Sequence, residues 1–305
     1  MLELSVVSAI YNDGNTVNKL VSELEDELIK LDIIYEIILV NDGSIDNSEE
    51  EIRKACKNNS LVKGISLSRN FGQQIAISSG ISFAKGKYVL IIDGDLENPI
   101  NSIPDLYKKI TEGYDIVYAV SPIRQTLSKK VTSQLFWFVI RRILKIDIIR
   151  DQLLLRIMSR KFVDAFNTYP EISRSVAGIN YDIGMNSTSL IVKPKKRIYG
   201  KSNYDFSKRL NMFIDIFLNL STRPLNAVIF FGLFALLLSV ILALAYLVKY
   251  FKGDTIMGNT SIMVSILFFG GAVLFILGIM ARYLSLIYSE VKRRPLFLVK
   301  EKYNM

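Results

Sequence analysis

Two long stretches of this chain contain no charged residue, and they restrict its possible folds more than any other feature. They cover residues 224–248 and 255–281. Each is longer than the roughly 20 residues that cross a bilayer core, and neither has the polar face that a helix on a soluble protein turns to water. Because only the short link 249–254 separates them, the sequence predicts a C-terminal two-helix transmembrane hairpin, with helices at 224–248 and 255–281.

Basic residues flank this predicted hairpin on both outer sides, whereas the link holds only Lys249 and Lys252. The flanking ones are Lys208, Arg209, Arg223, Arg282, Lys292, Arg293, Arg294 and Lys300. Positive residues next to membrane helices stay in the cytosol, which predicts that both flanks, including a basic tail at 282–305, are cytosolic. The net charge of +9 also suits an anionic partner, and the apolar stretches favour a membrane over nucleic acid.

Two further segments have the pattern of interfacial amphipathic helices. Residues 205–223 form a predicted juxtamembrane helix, with Phe206, Leu210 and Phe213 on the apolar face. Residues 128–147 combine apolar positions at helical spacing with basic neighbours. Basic amphipathic helices beside a membrane anchor often lie in the headgroup plane. For 128–147 an ordinary core-facing helix fits equally well.

The first 204 residues are typical of an α/β domain. Apolar, β-branched segments at 4–10, 36–40, 61–67 and 88–92 alternate with helical patterns at 15–31, 46–57 and 73–85. Strands that are apolar throughout and joined by helices indicate a mostly parallel sheet that is covered on both faces. Ligands of such sheets bind beyond the carboxyl ends of the strands. The loops 11–14, 41–46, 68–72 and 93–98 are therefore expected to converge on one site.

Composition excludes several kinds of chemistry. The chain has no histidine, so histidine bases and histidine-ligated metals are absent, and its single cysteine, Cys56, excludes an intrachain disulfide. A metal would have to sit on oxygen ligands, which favours Mg²⁺ or Mn²⁺. No signal peptide is visible before the first predicted strand, so we expect the N-terminal domain to be cytosolic.

The strongest local signal is the triplet Asp93-Gly94-Asp95, directly after a predicted strand. Two carboxylates one residue apart on a turn can share a hard cation that bridges to substrate phosphates. Glu97 could add a third oxygen, and Asp42 ends a neighbouring strand. The sequence therefore predicts a metal site made by Asp93, Asp95 and Glu97.

An ordered series of motifs resembles glycosyltransferase family 2, and within it the membrane-anchored polyprenyl-phosphate glycosyltransferases. The matching segments are Val6-Val7 to Tyr11-Asn12-Asp13, Val40-Asn41-Asp42-Gly43-Ser44 with Asp46, Leu67-Ser68-Arg69-Asn70-Phe71-Gly72, Asp93-Gly94-Asp95-Leu96-Glu97-Asn98-Pro99, Gly113-Tyr114-Asp115-Ile116-Val117-Tyr118, Arg197 with Gly200-x-Ser202-x-Tyr204, Ser221-Thr222-Arg223-Pro224-Leu225, and Tyr288-x-Glu290-Val291-Lys292-Arg293-Arg294-Pro295. The resemblance spans almost the whole chain, and the set in this order is far more specific than any one motif.

This resemblance implies a GT-A fold and a metal-dependent, inverting sugar transfer from a nucleotide-sugar to a polyprenyl phosphate, which is undecaprenyl phosphate in a bacterium. The product would be a lipid-linked monosaccharide for surface glycans such as lipopolysaccharide or cell-wall polymers. UDP is preferred over GDP by family frequency alone, and a homo-oligomer is compatible with the family. The implied nucleotide-sugar contacts are Tyr11, Asn12, Asp13, Asp42, Arg69, Asn70, Gly72, Asp93 and Gly94. The implied catalytic residues are Asp95 and Asp151.

The acceptor half of the reaction can be argued from its chemistry. A lipid monophosphate, with a second pKa near ~6, is largely a dianion at neutral pH. It can attack an anomeric carbon without a strong base, so it needs cationic positioning rather than a histidine. The candidates for this role are Arg124, Lys129, Ser133, Arg197, Lys201 and Ser202. Each of the charged ones, taken alone, fits a lipid headgroup contact as well.

Several positions depart from the family pattern. The run Asp151-Gln152-Leu153-Leu154-Leu155-Arg156 has Leu154 where an aspartate is usual. Asn203 replaces a lysine, Ala177 replaces an arginine, and Glu97 replaces a glutamine. These departures keep two alternatives open, which are transfer to a longer lipid-linked glycan and a catalytically weak nucleotide-binding scaffold. A transporter is disfavoured, because neither apolar stretch carries a charge and two helices make a poor pore.

Overall fold

The computed structural model describes residues 2–121, 151–171, 176–193 and 259–305, together with residues 149, 234 and 241. These residues fall into two compact units. The first consists of the N-terminal ranges up to 193 and residues 294–305, and the second includes the helix near the C-terminus. Each unit is described by itself below.

The first unit is built on an eight-stranded mixed sheet with the order β7-β5-β6-β4-β1-β2-β3-β8. Its strands are β1 (Leu4–Ile10), β2 (Tyr35–Asn41), β3 (Val62–Leu67), β4 (Tyr88–Asp93), β5 (Ile116–Val120), β6 (Gln152–Ser159), β7 (Ser187–Ile191) and β8 (Val299–Tyr303). The pairs β1–β2, β1–β4, β2–β3 and β5–β7 are parallel. Strand β6 runs antiparallel between β4 and β5, and β8 runs antiparallel along β3.

Helices cover both faces of this sheet. They are α1 (Gly14–Ile29), α2 (Ser48–Asn58), α3 (Gln73–Phe83), a 3-10 turn (Ile100–Ser102), α4 (Ile103–Ile110), α5 (Arg160–Thr168) and α6 (Val176–Ile183). One hydrophobic cluster lies under α1, α2 and α4, and a second lies under α3, α5 and α6. Because the first four strands are largely buried on both faces, most of their side chains are apolar, without a regular alternation of polar and apolar positions. The predicted α/β fold with a mostly parallel sheet is confirmed.

The sequence analysis did not foresee the two antiparallel strands. Strand β6 begins directly after Asp151, and its register pairs Ile91 with Arg156. Strand β8 lies within the segment predicted as a basic tail, where Leu67 pairs with Val299. Part of the predicted tail is therefore an edge strand of the sheet.

The described part of the second unit includes a long helix, α7 (Asn259–Val291). Within the described part of the chain, this is the one helix long and apolar enough to cross a membrane, and an 18-residue window inside Phe269–Val291 has a mean hydropathy of 1.9. Its described part covers residues 259–281 of the predicted stretch 255–281 and continues past Arg282. It ends where Arg293 adopts a positive φ of 46°, a common helix terminator, shortly before Pro295.

Several predictions lie outside the described residues. These are the first transmembrane helix at 224–248, the link 249–254, and the amphipathic helices at 128–147 and 205–223. The two-helix hairpin therefore stays a prediction.

Candidate functional site

The carboxyl ends of β1, β2 and β4 lie side by side, because these strands are parallel neighbours. The Asp42 backbone N–H donates to the Ile10 carbonyl oxygen at 2.9 Å, which ties the ends of β1 and β2 together. The loops after these strands surround an open cleft of about 290 Å³. Its lining residues are Ala9, Ile10, Tyr11, Asp13, Asp42, Asn70, Gly72, Gln73, Asp93, Gly94 and Asp95.

Asp42 is buried at the end of β2 and holds the loop at 68–72. Its two carboxylate oxygens accept hydrogen bonds from the backbone N–H groups of Phe71 at 2.8 Å and Gly72 at 2.9 Å. Burial raises the pKa of Asp42, while these two bonds and the nearby Arg69 act in the opposite direction. Asp42 was predicted to contact the nucleotide. The structure places it in the cleft wall and gives it a loop-ordering role that the sequence analysis missed.

Asp93, at the end of β4, is held between two amide side chains. Gln73 donates through Nε2 to Oδ1 at 2.7 Å, and Asn98 donates through Nδ2 to Oδ2 at 3.0 Å. Burial, together with the neighbouring carboxylate of Asp95, raises the pKa of Asp93 to about 6, although the Asn98 bond and Arg156 lower it. The carboxylate is thus oriented by the fold, while its ionisation is costly in the absence of a cation.

The turn after Asp93 is tightly packed. A Cβ atom at Gly94 would lie 2.5 Å from Ile10 Cδ1, so glycine is required for this close approach to β1. Asp95 is exposed to the cleft, and its Oδ1 accepts from the Glu97 backbone N–H at 3.0 Å. Leu96 has a positive φ of 61° and is buried in the core, which anchors the turn.

The loop after β1 is fixed by the start of α2. The Asn12 backbone N–H donates to Ser44 Oγ at 3.0 Å, and Asn12 Oδ1 accepts from the Ile45 backbone N–H at 2.9 Å. The Asp13 backbone N–H donates to Ser48 Oγ at 3.0 Å. Asp13 and the exposed Tyr11 line the cleft, whereas Asn12 is outside the lining and joins the two loops.

Asn70 and Gly72 line the cleft, and Arg69 stands beside it on the same loop. The Arg69 guanidinium lies over the Phe71 ring, with its Cζ 4.3 Å from the ring centroid. Such stacking holds an exposed cation in place. The predicted loop residues are thus brought to one edge of the sheet.

Asp151 and Arg156 belong to the neighbouring strand. Asp151 precedes β6 with a positive φ of 57°, and its carbonyl oxygen accepts from the Ser121 backbone N–H at 3.0 Å. This places Asp151 at the carboxyl edge of β4 and β5, although it is not among the residues that line the cleft. Arg156 is buried, donates to the Leu154 carbonyl oxygen at 3.0 Å, and is a counter-charge to Asp93.

A divalent cation fits two of the three predicted ligands. Asp93 and Asp95 place carboxylate oxygens at one cleft, where their mutual repulsion raises the pKa of Asp93. Such repulsion is relieved by a bound cation, and oxygen donors suit Mg²⁺ or Mn²⁺. Across the residues that the structure describes, no three acidic or cysteine side chains gather around a common point. Glu97 therefore does not complete a three-carboxylate site in this conformation.

The predicted acceptor-phosphate residues lie outside the described residues. They are Arg124, Lys129, Ser133, Arg197, Lys201 and Ser202. Their role as a phosphate site stays a prediction.

The sequence analysis missed Gln73 as a site residue and quoted Asn98 only as part of a motif. Gln73 is the first residue of α3, and Asn98 follows the acidic triplet. Each is an ordinary polar residue near a helix start or in a loop. Asn98 could have been identified by its position in the loop 93–98, and Gln73 by its position directly after the loop 68–72, since both loops were expected to converge.

A mostly parallel α/β sheet with an acidic cleft at its carboxyl edge is the architecture of the GT-A fold. Comparison with a solved structure agrees. The glucosyl-3-phosphoglycerate synthase of Mycobacterium tuberculosis, solved with Mn²⁺ and uridine diphosphate, matches with a TM-score of 0.51 and 17% identity over 73% of this chain and 80% of that one. This likeness supports the fold.

Sequence comparison gives the family. Residues 5–166 match the glycosyl transferase family 2 model. An uncharacterised glycosyltransferase of Synechocystis is 37% identical over 100% of this chain and 96% of its own. The SfII prophage-derived bactoprenol glucosyl transferase of Shigella flexneri is 30% identical over 99% of both chains. The chain belongs to glycosyl transferase family 2 and is a glycosyltransferase.

Proposed function

We propose that the protein transfers a sugar from a nucleotide-sugar, UDP-linked rather than GDP-linked, to a polyprenyl phosphate at the cytosolic face of a membrane. The product is a lipid-linked monosaccharide for surface glycan synthesis or modification. The observation that carries this proposal is the cleft in which Asp93 and Asp95 meet the loop 68–72. The Shigella relative, named for transfer to bactoprenol, supports the choice of a polyprenyl acceptor.

Different residues of the cleft would contact different parts of the nucleotide-sugar. Asp93 and Asp95 would hold Mg²⁺ or Mn²⁺, which neutralises the diphosphate as it leaves. The presence of Mn²⁺ and uridine diphosphate in the Mycobacterium enzyme is consistent with this assignment. Asp42 keeps the loop 68–72 in place, so that Asn70 and Gly72 form a fixed wall for the nucleotide.

The transfer step needs little acid–base chemistry. An oxygen of the lipid phosphate dianion forms a bond to the anomeric carbon while the bond from that carbon to the nucleoside diphosphate breaks. Attack from the side opposite the leaving group inverts the anomeric configuration. Because the nucleophile is already ionised, the protein's task is positioning and charge stabilisation, which agrees with the absence of histidine.

The membrane location rests on α7 and on the sequence around it. Helix α7 is apolar and long enough to span a bilayer. The uncharged stretch 224–248 would supply a second span and return the chain to the cytosolic side. We therefore propose a hairpin anchor with the catalytic domain and both flanks in the cytosol.

Release of nucleoside diphosphate tests the reaction. Purified protein in detergent, with Mn²⁺ and a short polyprenyl phosphate, is screened against UDP- and GDP-sugars. We expect release that requires both lipid and metal, and a loss of at least about 10²-fold in Asp95→Asn. Asp26→Asn is the matched control, because Asp26 is an exposed carboxylate on α1 outside the cleft.

Three outcomes would contradict the proposal. Release without lipid phosphate would mean that another acceptor, or water, is used. Nucleotide binding without turnover of any donor would favour the non-catalytic scaffold, and turnover only with a preformed lipid-linked glycan would favour the longer acceptor.

A further inference from the structure

The segment that follows α7 belongs to the first unit, and it begins beside the loop 68–72. Strand β8 pairs antiparallel with β3, and the Ser68 backbone N–H donates to the Leu298 carbonyl oxygen at 2.9 Å. Ser68 directly follows Leu67, the last residue of β3, and begins the loop 68–72. No residue of β8 is among those that line the cleft. The segment therefore contacts the start of a site loop without contacting the site.

We propose that residues 297–303 are a positioning element of the nucleotide-sugar cleft, which holds the loop 68–72 in its binding conformation. This inference rests on the function proposed above. The loop is fixed at both ends. Asp42 holds its last residues, Phe71 and Gly72, through their backbone N–H groups. Leu298 holds its first residue, Ser68.

Side-chain packing joins the segment to the loop. Phe71 of the loop and Phe297 and Val299 of the segment are partly buried against the same hydrophobic cluster. The rings of Phe297 and Phe83 pack with centroids 6.4 Å apart, and Lys302 Nζ lies 4.3 Å from the Phe83 ring centroid. A displacement of the segment would remove part of the surface on which the loop rests.

The C-terminal end of the segment contacts α2, at the end of β8 that is remote from the loop 68–72. Arg53 donates to Glu301 and to the Tyr303 hydroxyl, both at 3.2 Å. The Asn304 side chain donates to the Val62 carbonyl oxygen at 3.0 Å. Because these contacts involve no cleft residue, weakening them should affect the cleft only through β8.

A loop that is already ordered binds a ligand more tightly. Conformational freedom that the fold has removed does not have to be removed by the ligand, so the binding free energy is larger. Removing the segment should therefore weaken nucleotide binding by at least about fivefold, the lower end of typical coupling between two sites. The amide hydrogens of residues 68–72 should exchange faster in the same variant.

The experiment compares the full chain with a chain that ends at Arg294, both in detergent with Mn²⁺. UDP and GDP binding is measured by calorimetry, and hydrogen exchange at 68–72 is measured without nucleotide. A peptide of residues 295–305 is then added to the shortened chain. A strand can be supplied in trans by pairing with an open sheet edge, so the peptide should restore protection and affinity together.

A second pair of variants covers the case in which the shortened chain fails to fold. Arg53→Ala removes a β8 contact, whereas Lys54→Ala, its neighbour on α2, removes ion pairs only to Glu50 and Glu51 of the same helix. We expect faster exchange at 68–72 and weaker nucleotide binding in Arg53→Ala, with neither change in Lys54→Ala.

Unchanged exchange at 68–72 in the shortened chain and in Arg53→Ala would overturn the inference. So would a folded shortened chain that the peptide fails to restore. If the full chain binds neither UDP nor GDP, the proposed function fails, whereas the exchange data still decide whether the segment orders the loop.

Discussion

Replacing Gly94 by alanine tests how tightly the turn Asp93-Gly94-Asp95 packs against the end of β1. The added Cβ would lie 2.5 Å from Ile10 Cδ1 and 3.0 Å from the Ala9 carbonyl oxygen. Ile10 is only 1% exposed, so its side chain has little room to move. The turn must therefore shift, and the carboxylates of Asp93 and Asp95 must shift with it.

The clash sets the size of the expected losses in stability and in activity. Overpacking of a well-packed site costs about 1–3 kcal/mol of stability. A misplacement of catalytic groups by about 1 Å costs about 10²-fold in rate, so a shift of several tenths of an ångström should lower kcat/KM by about tenfold or more. Ile10→Val removes the Cδ1 atom that the new methyl group would meet, at a cost of about 0.5–1.5 kcal/mol by itself.

The assay is a double-mutant cycle over the wild type, Gly94→Ala, Ile10→Val and the double variant. Urea unfolding gives stability, and nucleoside diphosphate release gives kcat/KM. We expect the double variant to be more stable than the sum of the single changes predicts, by at least about 0.5 kcal/mol. Additive stabilities, or a Gly94→Ala variant with wild-type activity, would refute the steric argument.

Two further predictions concern ionisation. Burial and Asp95 raise the pKa of Asp93 to about 6, so its proton competes with the cation below that pH. Mn²⁺ affinity, titrated from about pH 5 to about pH 8, should therefore fall as the pH drops through about 6, and a pH-independent affinity would contradict this. Glu36 is buried, which raises its pKa, but hydrogen bonds from Lys63, Ser5 and the Lys85 backbone prevail and lower it. The ionised Glu36 carboxylate therefore stabilises the folded protein at neutral pH, and this stabilisation is lost on acidification below its ordinary pKa. Glu36→Gln should lower the free energy of unfolding by about 2 kcal/mol at neutral pH and by less in acid. Urea unfolding at both pH values measures this, and an equal cost at both would contradict the argument.

The first half of the sheet could be predicted because its strands are buried on both faces. Leu4–Ile10 and Tyr88–Asp93 are mostly apolar on both faces and are bounded by polar turns, so their limits can be read from the sequence. Parallel strands of this kind place their following loops at one edge. The convergence of those loops on one cleft followed from the same pattern and is what the structure shows.

The edge strand β8 could not be predicted in the same way. Lys300, Glu301 and Lys302 are exposed, as charged residues often are on edge strands, and the segment was predicted to be a basic tail. Its pairing with β3 joins residues more than half the chain apart, and no local pattern encodes such a register. The contact between Leu298 and Ser68 is visible only in the folded structure.

Residue type was easier to predict than residue role. Asp42 and Asp93 were found because acidic residues at strand ends are distinctive. The backbone clamp made by Asp42 and the hydrogen bond from Gln73 to Asp93 depend on how α3 starts after a glycine with a positive φ of 96°. That geometry depends on packing across the sheet, which the linear sequence does not specify.

Three of the six non-glycine residues with a positive φ in the described part of the chain lie at the same edge as these contacts. Asn12, Leu96 and Asp151 all have positive φ angles between 51° and 61°, and they lie next to β1, β4 and β6 at the ends that face the cleft. Such conformations cost on the order of 1 kcal/mol each and persist only when the surroundings enforce them. Leu96 is held by its burial, and Asn12 by its bond from Ile45. The cleft is therefore organised by the fold before any ligand binds, as the proposed transfer, which depends on positioning more than on acid–base groups, requires.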